Sequence, residues 1–203
     1  MKCKIEIEEE RLKELIKEAV REVIKEDREL LTKDAVYSKN DYEKILDKLI
    51  YDEDCDVRLV VAELGYGLDK LINDKHYIVR VAVARQGYGL DKLIDDKNKY
   101  VRVTVARQGY GLDKLVDDKD PDVRVAVAKQ GYGLDKLIND NCYDVRAAVA
   151  GQGYGLDKLV NDKNSNVRAA VAKQGYGLGK LINDANPVVR IIALNRIKQD
   201  RNL

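Results

Sequence analysis

The chain has no tryptophan, no phenylalanine, one histidine (His76), two serines (Ser38, Ser165) and two threonines (Thr32, Thr104) among its 203 residues. Nucleophiles and general bases are therefore scarce, which speaks against an enzyme. Cys3, Cys55 and Cys142 contain no CxxC and leave an odd thiol, a pattern that fits reduced cysteines better than a disulfide framework. No apolar run approaches the ~20 residues that span a bilayer, and MKCKIEIEEERLKELIKEAV carries acids where a secretory signal has an apolar centre. The expectation is a cytoplasmic protein with no membrane partner. Nor does one sign of charge dominate: 37 Lys and Arg face 36 Asp and Glu. Such a balance removes long-range attraction toward nucleic acid while leaving room for a local basic stripe.

What the chain has in abundance is repetition. GYGLDKL begins at Gly65, Gly87, Gly109, Gly131 and Gly153, and GYGLGKL at Gly175, a spacing of 22 residues throughout. A fixed period of this size marks units that cannot bury their own apolar faces and stack to share a core. Residues 56–187 make six such units, preceded at 34–55 by a divergent half-repeat that contains DKLIYDED. One elongated domain over 1–203 is expected.

Punctuation divides each unit into two helices. Asp54, His76, Asn98, Asp120, Cys142, Asn164 and Asn186 share one phase of the repeat, and five of these seven are favoured N-caps. Pro121 and Pro187 follow directly, at the first helical position, where a missing N–H costs least. A helix of about ten residues, as in PDVRVAVAKQ, then meets the first glycine of GYG, which can take the left-handed conformation that ends it. LDKLIND predicts a second helix, of two turns or of the tighter 3₁₀ kind. GYGLGKL superficially resembles a phosphate loop, but Gln174 and Leu181 stand where a Walker loop needs glycine and Ser or Thr. Asp69, Asp91, Asp113, Asp135 and Asp157 hold the start of the short helix in the sister copies, against any anion there.

An aspartate precedes an arginine by six residues in Asp52/Arg58, Asp74/Arg80, Asp96/Arg102, Asp118/Arg124, Asp140/Arg146, Asp162/Arg168 and Asp184/Arg190. With this spacing the units resemble HEAT-like α-solenoids, and within them the bacterial leucine-rich repeat variant, from Asp52 to about Arg196. The resemblance implies an all-α, right-handed α-solenoid with helical caps, in which these pairs form a hydrogen-bonded ladder between adjacent units. Bidentate Arg–carboxylate geometry makes that physically sensible, although the arginines can also be read as partner contacts. Residues 1–33, with Leu12, Leu15, Ile16, Ala19, Val20, Val23 and Ile24 in helical period, read as an amphipathic capping helix or, alternatively, half of a coiled coil. Residues 188–203 place Ile197 where glycine is expected, so the closing helix runs on as the second cap.

Recurrence also separates fixed positions from free ones. Val79, Ala82, Val83 and Gln86 repeat nearly unchanged at i, i+3, i+4 and i+7, which marks a core face. Ile78, Val81 and Arg85 instead become Tyr100, Val103 and Arg107, then Asp122, Val125 and Lys129, then Asp144, Ala147 and Gly151, then Asn166, Ala169 and Lys173. These positions share one helix face. Ile78, Val81, Arg85, Tyr100, Val103, Arg107, Val125, Lys129 and Lys173 are therefore the candidate partner-binding residues, unless the valines pack against the next unit. The line Tyr66, Tyr88, Tyr110, Tyr132, Tyr154 and Tyr176 either packs over the inter-helix turns or forms a stacking ridge. At ~10 Å per layer, His76 and Cys142 lie ~30 Å apart and cannot share a metal, while His76 with Cys55 supplies too few ligands for zinc. No metal, cofactor or small-molecule substrate is expected. The reading is a monomeric, non-enzymatic protein-binding scaffold, an adaptor or inhibitor. The alternative is nucleic-acid binding along Arg85, Arg107, Lys129 and Lys173, since the resemblance extends to DNA glycosylases built from HEAT-like repeats.

Overall fold

In the computed structural model, which describes residues 39–201, the shared cap position does what its chemistry dictates. The side chains of Asp54, Asn98, Asp120, Asn164 and Asn186 each accept the amide two residues on, at 2.8–3.0 Å. A cap of this kind stabilises a helix by about 1 kcal/mol. His76 and Cys142 sit at the same place without a side-chain capping bond. Nine-residue helices follow: Cys55–Glu63, Tyr77–Arg85, Lys99–Arg107, Pro121–Lys129, Tyr143–Gly151 and Ser165–Lys173. Each ends on a left-handed glycine. At Gly109, φ is 75°, its amide bonds to Ala106 O at 2.9 Å and the Tyr110 amide reaches Val105 O at 3.4 Å, the two bonds of a Schellman closure.

The second helix is shorter than expected and of α type. It is one turn, Leu112–Leu115 in the third unit, with Leu115 N bonded to Gly111 O and Val116 N to Leu112 O. It stops because Asp118 turns back to accept the Asp120 amide at 2.8 Å, which fixes the start of the next long helix. Leu115 and its counterparts Leu93, Leu137, Leu159 and Leu181 are buried beside Val101, Val123, Val145 and Val167, so both helices feed one apolar layer.

The chain divides between Gly67 and Leu68 into two compact units. In the first, the helix Lys39–Leu49 buries Leu46 and the helix Cys55–Glu63 buries Val61 and Ala62, with Ile50 buried in the connection. In the second, each long helix packs on the next, from Tyr77–Arg85 through to Pro187–Arg201. The last helix is 15 residues long and continues through Ile197. Among the described residues there are 14 helices and no strands, an all-α, solenoid-like repeat fold. The helix expected at 1–33 lies outside the described residues, and the described part of the half-repeat is the helix Lys39–Leu49 and its connection.

Gln86 departs from the core face assigned to it, because it is exposed. Its counterparts Gln108, Gln130 and Gln174 donate their side-chain amides to Arg85 O, Arg107 O and Gly151 O at 2.8–3.3 Å. The last carbonyls of a helix lack intrahelical partners. This glutamine recurs because it supplies one to the helix before.

Candidate functional site

The arginines form a ladder, in a register different from the one spacing implies. Arg80 donates Nε and Nη2 to the two carboxylate oxygens of Asp96, sixteen residues on, at 2.6 and 2.8 Å. Its Nη1 goes to Asp74 O at 2.7 Å, so the aspartate six residues earlier contributes its carbonyl and not its carboxylate. The same bidentate rung recurs in Arg102–Asp118, Arg124–Asp140, Arg146–Asp162 and Arg168–Asp184. Each aspartate also accepts the amide two residues on. One rung thus ties the start of one long helix to the start of the next. Burial pushes the Asp96 carboxyl up, but Arg80 and the Asn98 amide outweigh it and hold it below its ordinary value; Asp118, Asp140 and Asp162 behave alike. These arginines are structural.

A second, exposed ladder runs along the short helices. Lys114 pairs with Asp95 at 2.6 Å and Lys136 with Asp117 at 2.5 Å, while Lys158 and Lys180 donate to Asn139 and Asn161. Exposed pairs like these contribute little to stability. A depression of about 410 Å³ around Arg124, Asp140, Lys136 and Asp117 is lined by these already paired groups. Asp54, Cys55 and Asp56 bring ligand atoms within 4.8 Å of one another, but Asp54 is engaged as a helix cap there.

The candidate face splits into parts. Val81 and Val103 are only 8% exposed and pack inside the stack; Ile78 and Val125 are half-buried. Tyr100 stands out at 52% exposure, while Arg85, Arg107, Lys129 and Lys173 are exposed. Position 100 lies in the first turn and 107 in the last, ~10 Å apart along the axis. The nine residues therefore do not make one continuous patch. An aromatic end and a basic end flank a buried valine strip.

At the aromatic end the structure adds residues that the face did not include. The Tyr77 ring stacks on Tyr100 with centroids 5.8 Å apart and on His76 at 5.2 Å, and Lys99 Nζ lies 5.6 Å from the Tyr100 centroid. Lys99 then reaches Asp122 at 2.6 Å, which raises its ammonium above the ordinary value. An offset of 23 residues was the available signal. It relates Lys99 to Asp122 and Gln108 to the Arg85 carbonyl, and Tyr77 and Tyr100 stand at the same offset. The GYG tyrosines are ambivalent: Tyr88, Tyr110, Tyr132, Tyr154 and Tyr176 are each 42% exposed, whereas the Tyr66 hydroxyl donates to Asp47 at 2.8 Å.

Repeating rungs and caps settle the architecture. This is a helical repeat protein. No family model matches the chain, and no curated protein matches it either. A crystal structure of the Escherichia coli protein YibA is similar at 20% identity, covering 84% of this chain and 78% of that one, with a TM-score of 0.40. No helix among the described residues is long and apolar enough to cross a membrane.

Proposed function

We propose that the chain is a non-enzymatic, cytoplasmic protein-binding scaffold of HEAT-like or leucine-rich-repeat-variant type, acting as an adaptor or inhibitor. The observation that carries this reading is the His76–Tyr77–Tyr100 stack, which breaks the periodicity of a scaffold whose buried arginines and capping aspartates serve its own units. At the phase of Tyr100 the other units hold Ile78, Asp122, Asp144 and Asn166. An exposed tyrosine such as Tyr100 is a residue type that protein interfaces concentrate at their anchors. Tyr100→Ala combined with Arg107→Glu leaves the rungs and caps untouched. The double variant is expected to keep the thermal transition and to lose the partners recovered by affinity capture and mass spectrometry with the unaltered chain. Undiminished capture places the binding surface elsewhere.

Nucleic-acid binding is the second reading, favoured by the exposed cations Arg85, Arg107, Lys129 and Lys173 and opposed by Gly151, which interrupts their row. Gel shifts at low and moderate salt separate the two, since phosphate contacts weaken steeply with salt. Absence of any shift at low salt removes this alternative.

A further inference from the structure

The register of the ladder leaves two groups over, and they are complementary. Arg190 makes the carbonyl half of a rung, with Nη1 donating to Asp184 O at 2.7 Å and Ala185 O at 3.0 Å. Among the described residues no carboxylate meets its Nε and Nη2, the atoms that Arg80, Arg102, Arg124, Arg146 and Arg168 give to an aspartate. Asp52 is the converse. It accepts the Asp54 amide at 2.8 Å, as Asp96 accepts that of Asn98, but among the described residues no guanidinium reaches it, and the residue sixteen positions earlier is Val36.

The apolar surface follows the same pattern. On the helix Pro187–Arg201, Ile191 and Leu194 are 57% and 46% exposed. Leu194 holds the phase of Ala84, Ala106, Ala128, Ala150 and Ala172, all of them wholly buried where another long helix follows. At the other unmatched rung, Val57 is half-buried where its counterparts Val79, Val101, Val123, Val145, Val167 and Val189 are wholly buried.

We propose that the chain associates head to tail with a second copy of itself, the helix Pro187–Arg201 of one copy taking the helix Cys55–Glu63 of the next as its following layer, with Arg190 paired to Asp52. The contact extends the interface that each long helix already makes with its successor, and the charges left over at its two sides are of opposite sign. An occupant for the Arg190 side must offer an aspartate two residues before the cap of a nine-residue helix; Asp52, Asp54 and Cys55–Glu63 supply that arrangement. A contact between two different surfaces does not close on itself by symmetry, so further copies add in series unless the rotation closes a ring. This departs from the monomer and from the capping role of residues 1–33 expected from sequence, and it is independent of the partner face around Tyr100.

Sedimentation velocity of the full chain over a wide concentration range tests it. The expected result is a weight-average mass that rises with concentration. Arg190→Asp or Asp52→Arg alone should weaken association by about tenfold or more, the scale of losing one partner of a desolvated charge pair. Mixing the two variants in equal amounts, or placing both changes in one chain, should restore it. Ile191→Lys alters an already exposed side chain, so it leaves the helical circular dichroism intact and should also hold the chain at monomer mass. Monomer mass for the unaltered chain at every concentration overturns the proposal. So does association that survives Arg190→Asp, or failure of the mixture to restore it.

Discussion

At the scale of the residue, the two glycines of GYG perform different tasks that a sequence writes identically. Gly109 has φ of 75° and open space where a Cβ would stand. Gly111, with φ of 59°, would place a Cβ 2.1 Å from Ile94 Cδ1. Alanine at 109 therefore meets only the left-handed penalty, roughly 1 kcal/mol, whereas alanine at 111 adds displacement of a packed isoleucine, for about 3 kcal/mol in all. Urea midpoints of Gly109→Ala and Gly111→Ala should rank in that order, and equal losses would mean that Ile94 moves aside freely. The need for positive φ was legible in the motif. Packing against the preceding unit was not, because no local pattern says which neighbour a glycine faces. Gln86 misled for a related reason: a residue that recurs in every unit looks like core whether it is buried or ties two helix ends together at the surface.

At the scale of the element, the rung is what joins successive helices. Its existence was legible and its partner was not, since with a 22-residue period an aspartate six residues before one arginine also stands sixteen after the previous one. Only the fold separates the two registers, by giving the nearer aspartate's carbonyl and the farther one's carboxylate to the same guanidinium. The consequence is specific. Arg124→Ala strands the carboxylate of Asp140, whose side chain is 8% exposed, and should cost on the order of 3 kcal/mol. Arg190→Ala strands no carboxylate within its own chain and should cost less. Acid tests the same rungs. Because Asp96, Asp118, Asp140, Asp162 and Asp184 are held below their ordinary values when folded, the unfolded chain binds more protons as pH falls. Stability should hold above about pH 5 and decline as pH drops below about 4 toward the folded-state values. Urea melts across this range check the sign, and Arg124→Ala should flatten the decline.

At the scale of the whole molecule, period, caps and prolines made the repeat fold legible, because each is a local signal reinforced by copying. The candidate face was legible only in part. Helical spacing grouped Val81 with Tyr100 and Arg107, but whether a residue on that face is covered depends on the next layer, and the stacking of Tyr77 on Tyr100 depends on two layers at once. Copying has a further consequence. Every internal rung joins equivalent positions across one unit boundary, so the parts are interchangeable, and excising residues 99–120 would join Asn98 to Pro121, a junction already present in the chain as Asn186–Pro187. Arg80 would keep Asp96 and Arg124 would keep Asp140. The shortened chain should fold with the same helical signature per residue and a smaller urea m-value, as expected for less buried surface. The length of the array is thus a quantity that inheritance can adjust by whole units, each residue at the junction meeting the equivalent group of another copy.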